Sequence, residues 1–192
     1  LTITGWYFLN SFKREWISKV FLLGMSLWFY GYFNPGYLLI ILSSILINYG
    51  MYRLIDGCEN AKPRKILMIL GVAINVGILI YFKYMDFFIE NINMVFGQDF
   101  ELLHILLPLG ISFFTFQQIS FIVDAYRKEI PKYGFISYAC FVSYFPQLIA
   151  GPIVRYVDVA RELENRQTTA EDFAYGLRRF LVGLGKKVLL AN

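Results

Sequence analysis

Charged residues, cysteine and histidine are all scarce in this sequence of 192 residues. Charged residues make up 17% of the chain, and it contains two cysteines and a single histidine, His104. Such a composition lacks the Cys/His spacing of a zinc site and the glycine-rich loop of a nucleotide-binding site. We therefore predict no bound metal or cofactor. Cys58 lies in a basic loop and Cys140 in an apolar run, so we expect two free thiols rather than a disulfide.

The sequence also lacks a basic stripe with interleaved exposed aromatic residues, although its net charge is +4. That pattern is the usual mark of a nucleic-acid interface, so nucleic-acid partners are excluded. Hydrophobic residues make up 57% of the chain, and its mean hydropathy is +0.52. This composition is too apolar for an ordinary soluble domain and predicts a membrane protein that contacts lipid.

The longest uncharged run extends from Val20 to Tyr52 and is interrupted by Asn34, Pro35 and Gly36. Because hydrocarbon offers no partner for backbone N–H and C=O groups, a run of this kind must form helices, here a transmembrane hairpin. Three later uncharged runs have the length of a membrane span, which needs about 20 residues. These runs are 66–82, 105–123 and 133–154.

Lysine and arginine are distributed unevenly between the two ends of the predicted spans. If the hairpin starts in the cytoplasm, four spans put ten of these cations on the cytoplasmic side and only Lys83 on the other. Such an excess marks the cytoplasmic side of a membrane protein. The ten are Lys13, Arg14, Lys19, Arg53, Lys62, Arg64, Lys65, Arg127, Lys128 and Lys132.

The run 133–154 differs from the others because it contains Pro146, Gly151 and Pro152. Proline removes a backbone donor and clashes one turn back, so this run must kink or break. Seven further cations follow it, and an ordinary fifth span would place all of them outside. We therefore predict a re-entrant segment that returns to the cytoplasmic side; the alternative is a tilted ordinary span.

After the broken run, Thr168 and Glu171 have the spacing of a capping box, which predicts a helix from about Thr169. Apolar residues then recur at intervals of three and four, with cations predicted on the opposite arc. We expect an amphipathic helix at the cytoplasmic interface, binding anionic lipid or an acidic carrier, or else presenting a solvated charged face. The two sets are Phe173, Leu177, Phe180, Leu181, Leu184 and Val188, and Arg178, Arg179, Lys186 and Lys187.

Several polar side chains lie inside or at the ends of the apolar runs and are therefore candidates for function. Polar groups in lipid need partners, so they face other helices or a wet cavity. His104 precedes the run 105–123 at the predicted outer face, and a polar residue at the start of a helix explains it better than a catalytic base. The polar side chains are Ser112, Thr115, Gln117, Gln118, Ser120, Asp124, Arg127, Gln147 and Arg155.

Four sequence blocks closely resemble the membrane-bound O-acyltransferase family, and within it the alginate O-acetyltransferase branch. They stand in family order and cover about half of the chain, although Asn is expected where the first block has Asp86. The blocks are YFKYMDFF (81–88), LPLGISFFTFQQISFIVDAYR (107–127), FVSYFPQLIAGPIVRY (141–156) and GLRRFLVGLGKKVLLAN (176–192).

The resemblance implies an all-α, polytopic membrane fold with about four spans, a re-entrant segment and an interfacial helix. It further implies that residues 1–192 are the N-terminal part of one membrane domain, without the C-terminal catalytic half. The implied enzyme moves an acetyl or other acyl group from a cytoplasmic thioester, such as acetyl-CoA, toward a cell-surface polysaccharide such as alginate. The implied partners are periplasmic or extracellular acetyltransferase proteins, and the location is the bacterial inner or plasma membrane.

The resemblance places the family's catalytic histidine downstream, so no catalytic residue is assigned here and the fragment alone is expected to be inactive. The residues that it implies as walls of a substrate tunnel are Gln117, Gln118, Gln147, Gly151, Pro152 and Arg155. Arg155 is also suited to pair with an anionic donor group. Alternatives remain: D-alanyl transfer to teichoic acid, a channel or transporter component, and a structural assembly subunit.

Overall fold

The computed structural model describes residues 2–10, 15–130, 134–151, 153–159 and 169–190, and all regular structure in these ranges is helical. The chain divides into two compact units, Leu1–Arg161 and Glu162–Asn192. In the first unit, α1 spans Thr2–Asn10, α2 Glu15–Phe33, α3 Pro35–Asp56 and α4 Ala61–Leu79. It continues with α5 (Met85–Phe96), α6 (Ile111–Arg127), α7 (Phe135–Ser143) and α8 (Phe145–Ala150). The second unit contains α9 (Ala170–Leu190).

The two helices of the predicted hairpin are present as α2 and α3, and α3 is long and apolar enough to cross a membrane. Asn34 separates the two helices with an extended backbone, and its side-chain oxygen accepts a hydrogen bond from the Gly36 N–H at 2.8 Å. Pro35 occupies the first turn of α3, where its missing N–H needs no partner. The Asn-Pro-Gly sequence therefore ends one helix and starts the next.

The run 66–82 belongs to a much longer helical segment than the sequence predicts. Helices α4 and α5 are joined by a π-helical turn, Ile80–Tyr84, so the helical path continues for 36 residues from Ala61 to Phe96. It ends at Gly97, whose left-handed backbone is the usual stop signal of a helix. Lys83, predicted at the outer end of a span, lies within this helical path.

The run 105–123 is helical only from Ile111 onward, which corrects the predicted start. Residues 105–110 are not helical, and Gly110 precedes α6 with a left-handed backbone (φ 69°). Because Pro108 cannot donate a helical hydrogen bond, the chain turns here before α6 begins. His104 is likewise not at the start of a helix: it lies in the loop with a positive φ of 47°.

The run 133–154 is broken, as predicted. Helix α7 ends at Ser143, Tyr144 has an extended conformation, and α8 begins at Phe145 with Pro146 in its first turn. Gly151 is again extended, residues 153–155 are not helical, and a short helical turn follows at 156–159. The break lies at Tyr144, two residues before Pro146. In the first turn of α8, the nitrogen of Pro146 needs no helical hydrogen bond, and its ring meets no preceding turn of the same helix.

The core of the first unit is formed by α3, α6 and α7. Helix α6 packs against α3, α4 and α7, and α2 packs against α3, α7 and α8. Two helical segments among the described residues, α3 and α4–α5, are long and apolar enough to cross a membrane. The predicted count of four spans stays a prediction. The largest fully buried side chains include Tyr30, Ile41, Ile45, Ile55, Phe114, Phe121, Tyr138, Phe141 and Tyr156.

Helix α9 starts where the sequence predicts, but its capping pair is shifted by one residue. Thr169 Oγ1 accepts from the Asp172 N–H at 3.1 Å, and Asp172 Oδ2 accepts from the Thr169 N–H at 3.0 Å. The Thr169 N–H, and the Thr169 hydroxyl that also donates to Asp172 Oδ2 at 2.8 Å, lower the pKa of Asp172. The predicted partner of Glu171, Thr168, lies outside the described residues. Lys187 follows Phe180 by two turns and so borders the apolar face, contrary to the predicted opposite arc.

Candidate functional site

The segment from α7 to Arg155 doubles back along α6. At one end, the rings of Phe145 and Phe29 lie 4.9 Å apart. A Cβ on Gly110, just before α6, would lie 3.2 Å from the carbonyl oxygen of Leu148. At the other end, Arg155 reaches Asp124 near the last turn of α6. Leu148 and Arg155 therefore lie near opposite ends of α6, and we call the described residues that follow α8 between them, Gly151 and 153–155, the return limb.

Arg155 holds the far end of the return limb through two carboxylates. Its Nη2 and Nε donate to the two oxygens of Asp124 at 2.6 and 3.1 Å, and Nη2 also donates to Glu129. These hydrogen bonds, to Asp124 first and then to Glu129, raise the pKa of Arg155 above its usual value. Asp124 is almost fully buried, whereas the Arg155 side chain is 46% exposed. The geometry is a bidentate pair that fixes the loop and neutralises a buried charge.

An aromatic cluster packs Tyr156, which directly follows the return limb, against α6 and α7. The Tyr156 ring lies 5.2 Å from Phe121 and 5.1 Å from Phe141, in both cases edge to face. Phe121 and Tyr138 approach to 4.3 Å. These rings are at most 2% exposed, so they exclude water from the contact between Tyr156, α6 and α7.

A buried amide cluster joins α3, α4 and α6 near their middles. Gln118 Oε1 accepts from Ser44 Oγ at 2.6 Å and from Asn48 Nδ2 at 2.7 Å. Asn75 Nδ2 donates to Asn48 Oδ1 at 2.6 Å and to the Gly71 carbonyl at 2.8 Å. Asn48 Nδ2 also lies within reach of Asn75 Oδ1 (3.2 Å) and the Ser44 carbonyl (2.9 Å). Its two hydrogens are therefore shared among three acceptors.

The two adjacent glutamines of α6 have different environments. Gln118 is fully buried and its oxygen belongs to the amide cluster, but its Nε2 has no hydrogen-bond partner among the described residues. Gln117 is 2% exposed, and its Oε1 has no partner in the same part of the chain. A buried polar atom without a partner is costly, and such atoms are concentrated where a ligand or water binds.

The remaining predicted tunnel residues lie where the chain turns back. Gln147 is on α8 and half-buried, and its carbonyl accepts from the Gly151 N–H at 2.8 Å. A Cβ on Gly151 would lie 2.8 Å from the Cα, Cγ and carbonyl oxygen of Gln147, so only glycine fits this turn. Pro152 lies outside the described residues. The fold thus brings Gln117, Arg155 and the 147–151 turn to one side of α6, while Gln118 faces α3 and α4.

His104 borders an open cavity of about 560 Å³ beyond the π-helical turn, together with Glu90, Asn93, Asp99 and Glu101. Asp86, also near this end, accepts a hydrogen bond from the Leu103 N–H at 2.8 Å. Among the described residues, no group of three or more His, Cys, Asp or Glu side chains has the arrangement of a metal site.

Sequence reasoning missed four residues of these clusters: Ser44, Asn48, Asn75 and Glu129. The first three lie inside uncharged runs, where a buried amide or hydroxyl signals an interhelical partner. That signal was available for Asn48 and Asn75. No pattern along the chain indicated that Glu129 would share Arg155 with Asp124, because the contact joins residues 26 positions apart.

Comparison with known proteins gives one family. The family model of the membrane-bound O-acyltransferases matches residues 124–192. The chain is 36% identical to a peptidoglycan O-acetyltransferase of Helicobacter pylori, and 38% and 36% identical to probable alginate O-acetylases of Pseudomonas aeruginosa and Pseudomonas putida. Each alignment covers 98% of this chain and 41%, 37% and 39% of the respective relative.

The chain thus spans about two fifths of the length of these relatives. No solved structure shows significant similarity to it. The family match begins at Asp124, the partner of Arg155, and includes the return limb and α9. The chain is thus similar over nearly its whole length to named O-acetyltransferases, and its residues 124–192 match the model of the membrane-bound O-acyltransferase family.

Proposed function

We propose that the whole protein is a membrane O-acetyltransferase that moves an acetyl group from a cytoplasmic thioester, such as acetyl-CoA, toward a cell-surface polysaccharide. The observation that carries the proposal is the 36–38% identity to named O-acetyltransferases over 98% of the chain. One of these relatives is named for peptidoglycan and the others for alginate, so the acceptor class is a bacterial surface polymer with free hydroxyl groups. Periplasmic or extracellular acetyltransferase proteins are the proposed partners.

The proposed topology places α2, α3, α4–α5 and α6 across the bacterial inner membrane. Helices α7 and α8 with the return limb form a re-entrant segment that opens to the cytoplasm. The support is the distribution of Lys and Arg and the doubling back between Leu148 and Arg155. Non-helical backbone at membrane depth is tolerated where protein buries it or where it lines a water-filled cavity. The aromatic cluster provides such cover on one side.

The proposed reaction is transfer of an acyl group to a hydroxyl. The acceptor oxygen attacks the thioester carbonyl carbon, the C–S bond breaks, and the hydroxyl proton passes through a general base to the leaving thiolate. The family resemblance assigns the base to a histidine outside these 192 residues. The proposed contribution of this chain is the wall of the tunnel, with Gln117, Gln147, Gly151 and Arg155 on one side of α6 and Gln118 on the other. Pro152 belongs to the same proposed set but lies outside the described residues.

Mass spectrometry of surface polymers tests the proposed reaction. We expect O-acetyl esters on peptidoglycan or a secreted polysaccharide in cells with the intact gene, and their loss after its deletion. Separate analysis of the two fractions identifies the polymer. Unchanged acetylation in every fraction would refute the proposal, and a loss of D-alanyl esters from teichoic acid would favour that alternative instead. A change in ion or solute flux alone would favour a channel.

Single cysteines test the proposed topology in intact cells. Asp99→Cys lies in the loop between α5 and α6, and Asp158→Cys follows the return limb; both side chains are exposed. An impermeant thiol reagent added outside should label position 99 and leave position 158 unlabelled until the cells are opened. With Cys58 and Cys140 replaced by serine as background, labelling at position 158 from outside would refute the re-entrant model.

A further inference from the structure

Helix α9 carries an exposed apolar face along its whole length. At 3.6 residues per turn, six apolar side chains fall within an arc of about 100° around the helix axis. Each of them is 46–64% exposed, so this face is not packed into a core within its own unit. The six side chains are Phe173, Leu177, Phe180, Leu181, Leu184 and Val188.

The charges of α9 are of one sign beyond its first turn. Glu171 and Asp172 lie in that turn, where Asp172 caps the helix through Thr169. The following residues, 173–190, contain four cations and no acidic residue. An apolar face combined with this excess of positive charge complements a surface that is both apolar and anionic. The four cations are Arg178, Arg179, Lys186 and Lys187.

The length and composition of α9 favour a position on a membrane rather than across it. Its 21 residues match the roughly 20 that a span needs. Among the described residues, however, only α3 and α4–α5 are both long and apolar enough to cross a membrane. An acidic protein would complement the cations alone, whereas a layer of anionic lipid also offers acyl chains to the apolar face.

The four cations occupy two different positions around α9. Arg178 and Lys187 lie about 110° and 70° from the middle of the apolar face, on opposite sides of it. Side chains at these borders reach head-group phosphates while their aliphatic stems stay on apolar surface. Arg179 and Lys186 lie about 150° and 170° from that middle. Arg179 packs instead over the ring of Tyr175, at 5.6 Å from its centre.

We propose that α9 lies on an anionic lipid surface, with its apolar face among the acyl chains and with Arg178 and Lys187 binding head-group phosphates. A guanidinium group and an ammonium group both bind phosphate well. Arg179 and Lys186 face water in this arrangement. The inference goes beyond the proposed acetyl transfer and does not depend on it.

A single fluorescent label on α9 tests the contact with lipid in the full-length protein, held in lipid nanodiscs, with Cys58 and Cys140 replaced by serine. Leu181→Cys puts an environment-sensitive fluorophore on the apolar face, and Val182→Cys puts it about 150° from the middle of that face. Nitroxide groups on the acyl chains quench only a label that enters the lipid. In mixed phosphatidylcholine and phosphatidylglycerol, quenching should be strong at position 181 and weak at position 182. In phosphatidylcholine alone it should be weak at both.

Variants without charge, made in the Leu181→Cys protein, identify the cations that bind lipid. Arg178→Gln/Lys187→Gln should lower the ratio of lipid-bound to free α9 about thirtyfold, at about fivefold for each cation near an anionic surface. Arg179→Gln/Lys186→Gln removes the same charge and should change this ratio much less. Added salt should also release the label, because it screens the attraction between cations and phosphates.

Equal quenching at position 181 in both lipid compositions would overturn the role of anionic lipid. A shielded label that no lipid quenches would mean that protein covers the apolar face, and a label exposed to water in both compositions would mean a solvated face; each result overturns the proposal. Equal effects of the two double variants would overturn the assignment to Arg178 and Lys187. The salt titration needs no charge variant, so it still tests the proposal if a variant does not accumulate.

Discussion

Replacing Asn48 with leucine should destabilise the helix bundle more than any other single change in the amide cluster. Leucine has the same branched shape and is larger, so the change removes hydrogen bonds without opening a cavity. Asn48 makes one interhelical bond to Gln118 and two to Asn75. Interhelical hydrogen bonds in membrane proteins contribute about 0.6 kcal/mol each on average. The orphaned Asn75 Oδ1 adds about 1–3 kcal/mol. We therefore expect Asn48→Leu to lower the free energy of unfolding by about 3–5 kcal/mol.

Ser44→Ala is the matched control from the same helix. Ser44 gives Gln118 Oε1 one of its two hydrogen bonds, and the bond from Asn48 remains when Ser44 is changed. No buried atom is orphaned, so the expected loss is about 0.6–1 kcal/mol. Unfolding of the purified protein in detergent micelles by SDS, followed by far-UV circular dichroism, measures both values.

A double-mutant cycle makes the reasoning refutable. Asn75→Leu alone orphans Asn48 Oδ1, whereas the double variant Asn48→Leu/Asn75→Leu orphans neither amide. The double variant should therefore be more stable than the sum of the single effects predicts, by about 1–2 kcal/mol. Additive losses, or an Asn48→Leu loss no larger than that of Ser44→Ala, would show that the cluster does not act as a unit.

Two further predictions concern the return limb. Gly151→Ala should reduce the folded yield, because its Cβ would lie 2.8 Å from backbone atoms of Gln147. The control Gly77→Ala, with nothing within 4 Å of its Cβ, should be neutral or stabilising. Equal folded yields of the two variants by size-exclusion chromatography would contradict this prediction. Arg155→Ala should also reduce the folded yield, since it leaves the buried Asp124 carboxylate unpaired, and adding Asp124→Asn should restore most of it. A further loss in that double variant would mean that Arg155 acts through another contact.

The breaks in the helical pattern were predictable because they depend on local chemistry. Asn34 and Pro35 divide the first apolar run, and Pro146 requires a break in the last one, whatever the rest of the chain does. The capping-box spacing of Thr168 and Glu171 likewise predicts the start of α9 to within one residue. In each case the deciding interactions join residues within about one turn of each other.

The features that sequence reasoning missed depend on contacts between distant residues. The charge of Lys83 sets the predicted end of the run 66–82. The helix nevertheless continues past Lys83, because a helix can carry charged side chains beyond its apolar part. The sequence indicates that Arg155 is suited to pair with an anion, but the two carboxylates that it binds come from other segments of the chain. Asn48 and Asn75 were detectable as polar groups, but their pairing is set by how α3 and α4 pack.

The π-helical turn sets the angular register of α5, the C-terminal part of the long helix. A π turn holds one residue more than an α turn, so it rotates everything that follows by about 100°. In the present register Asp86 meets the Leu103 N–H, and Lys83 lies 3.4 Å from Ser112 Oγ. Deleting one residue from Ile80–Tyr84 would swing Asp86 about a quarter turn away from the loop that contains His104. The extra residue therefore holds α5 in the register in which Asp86 binds the loop that contains His104.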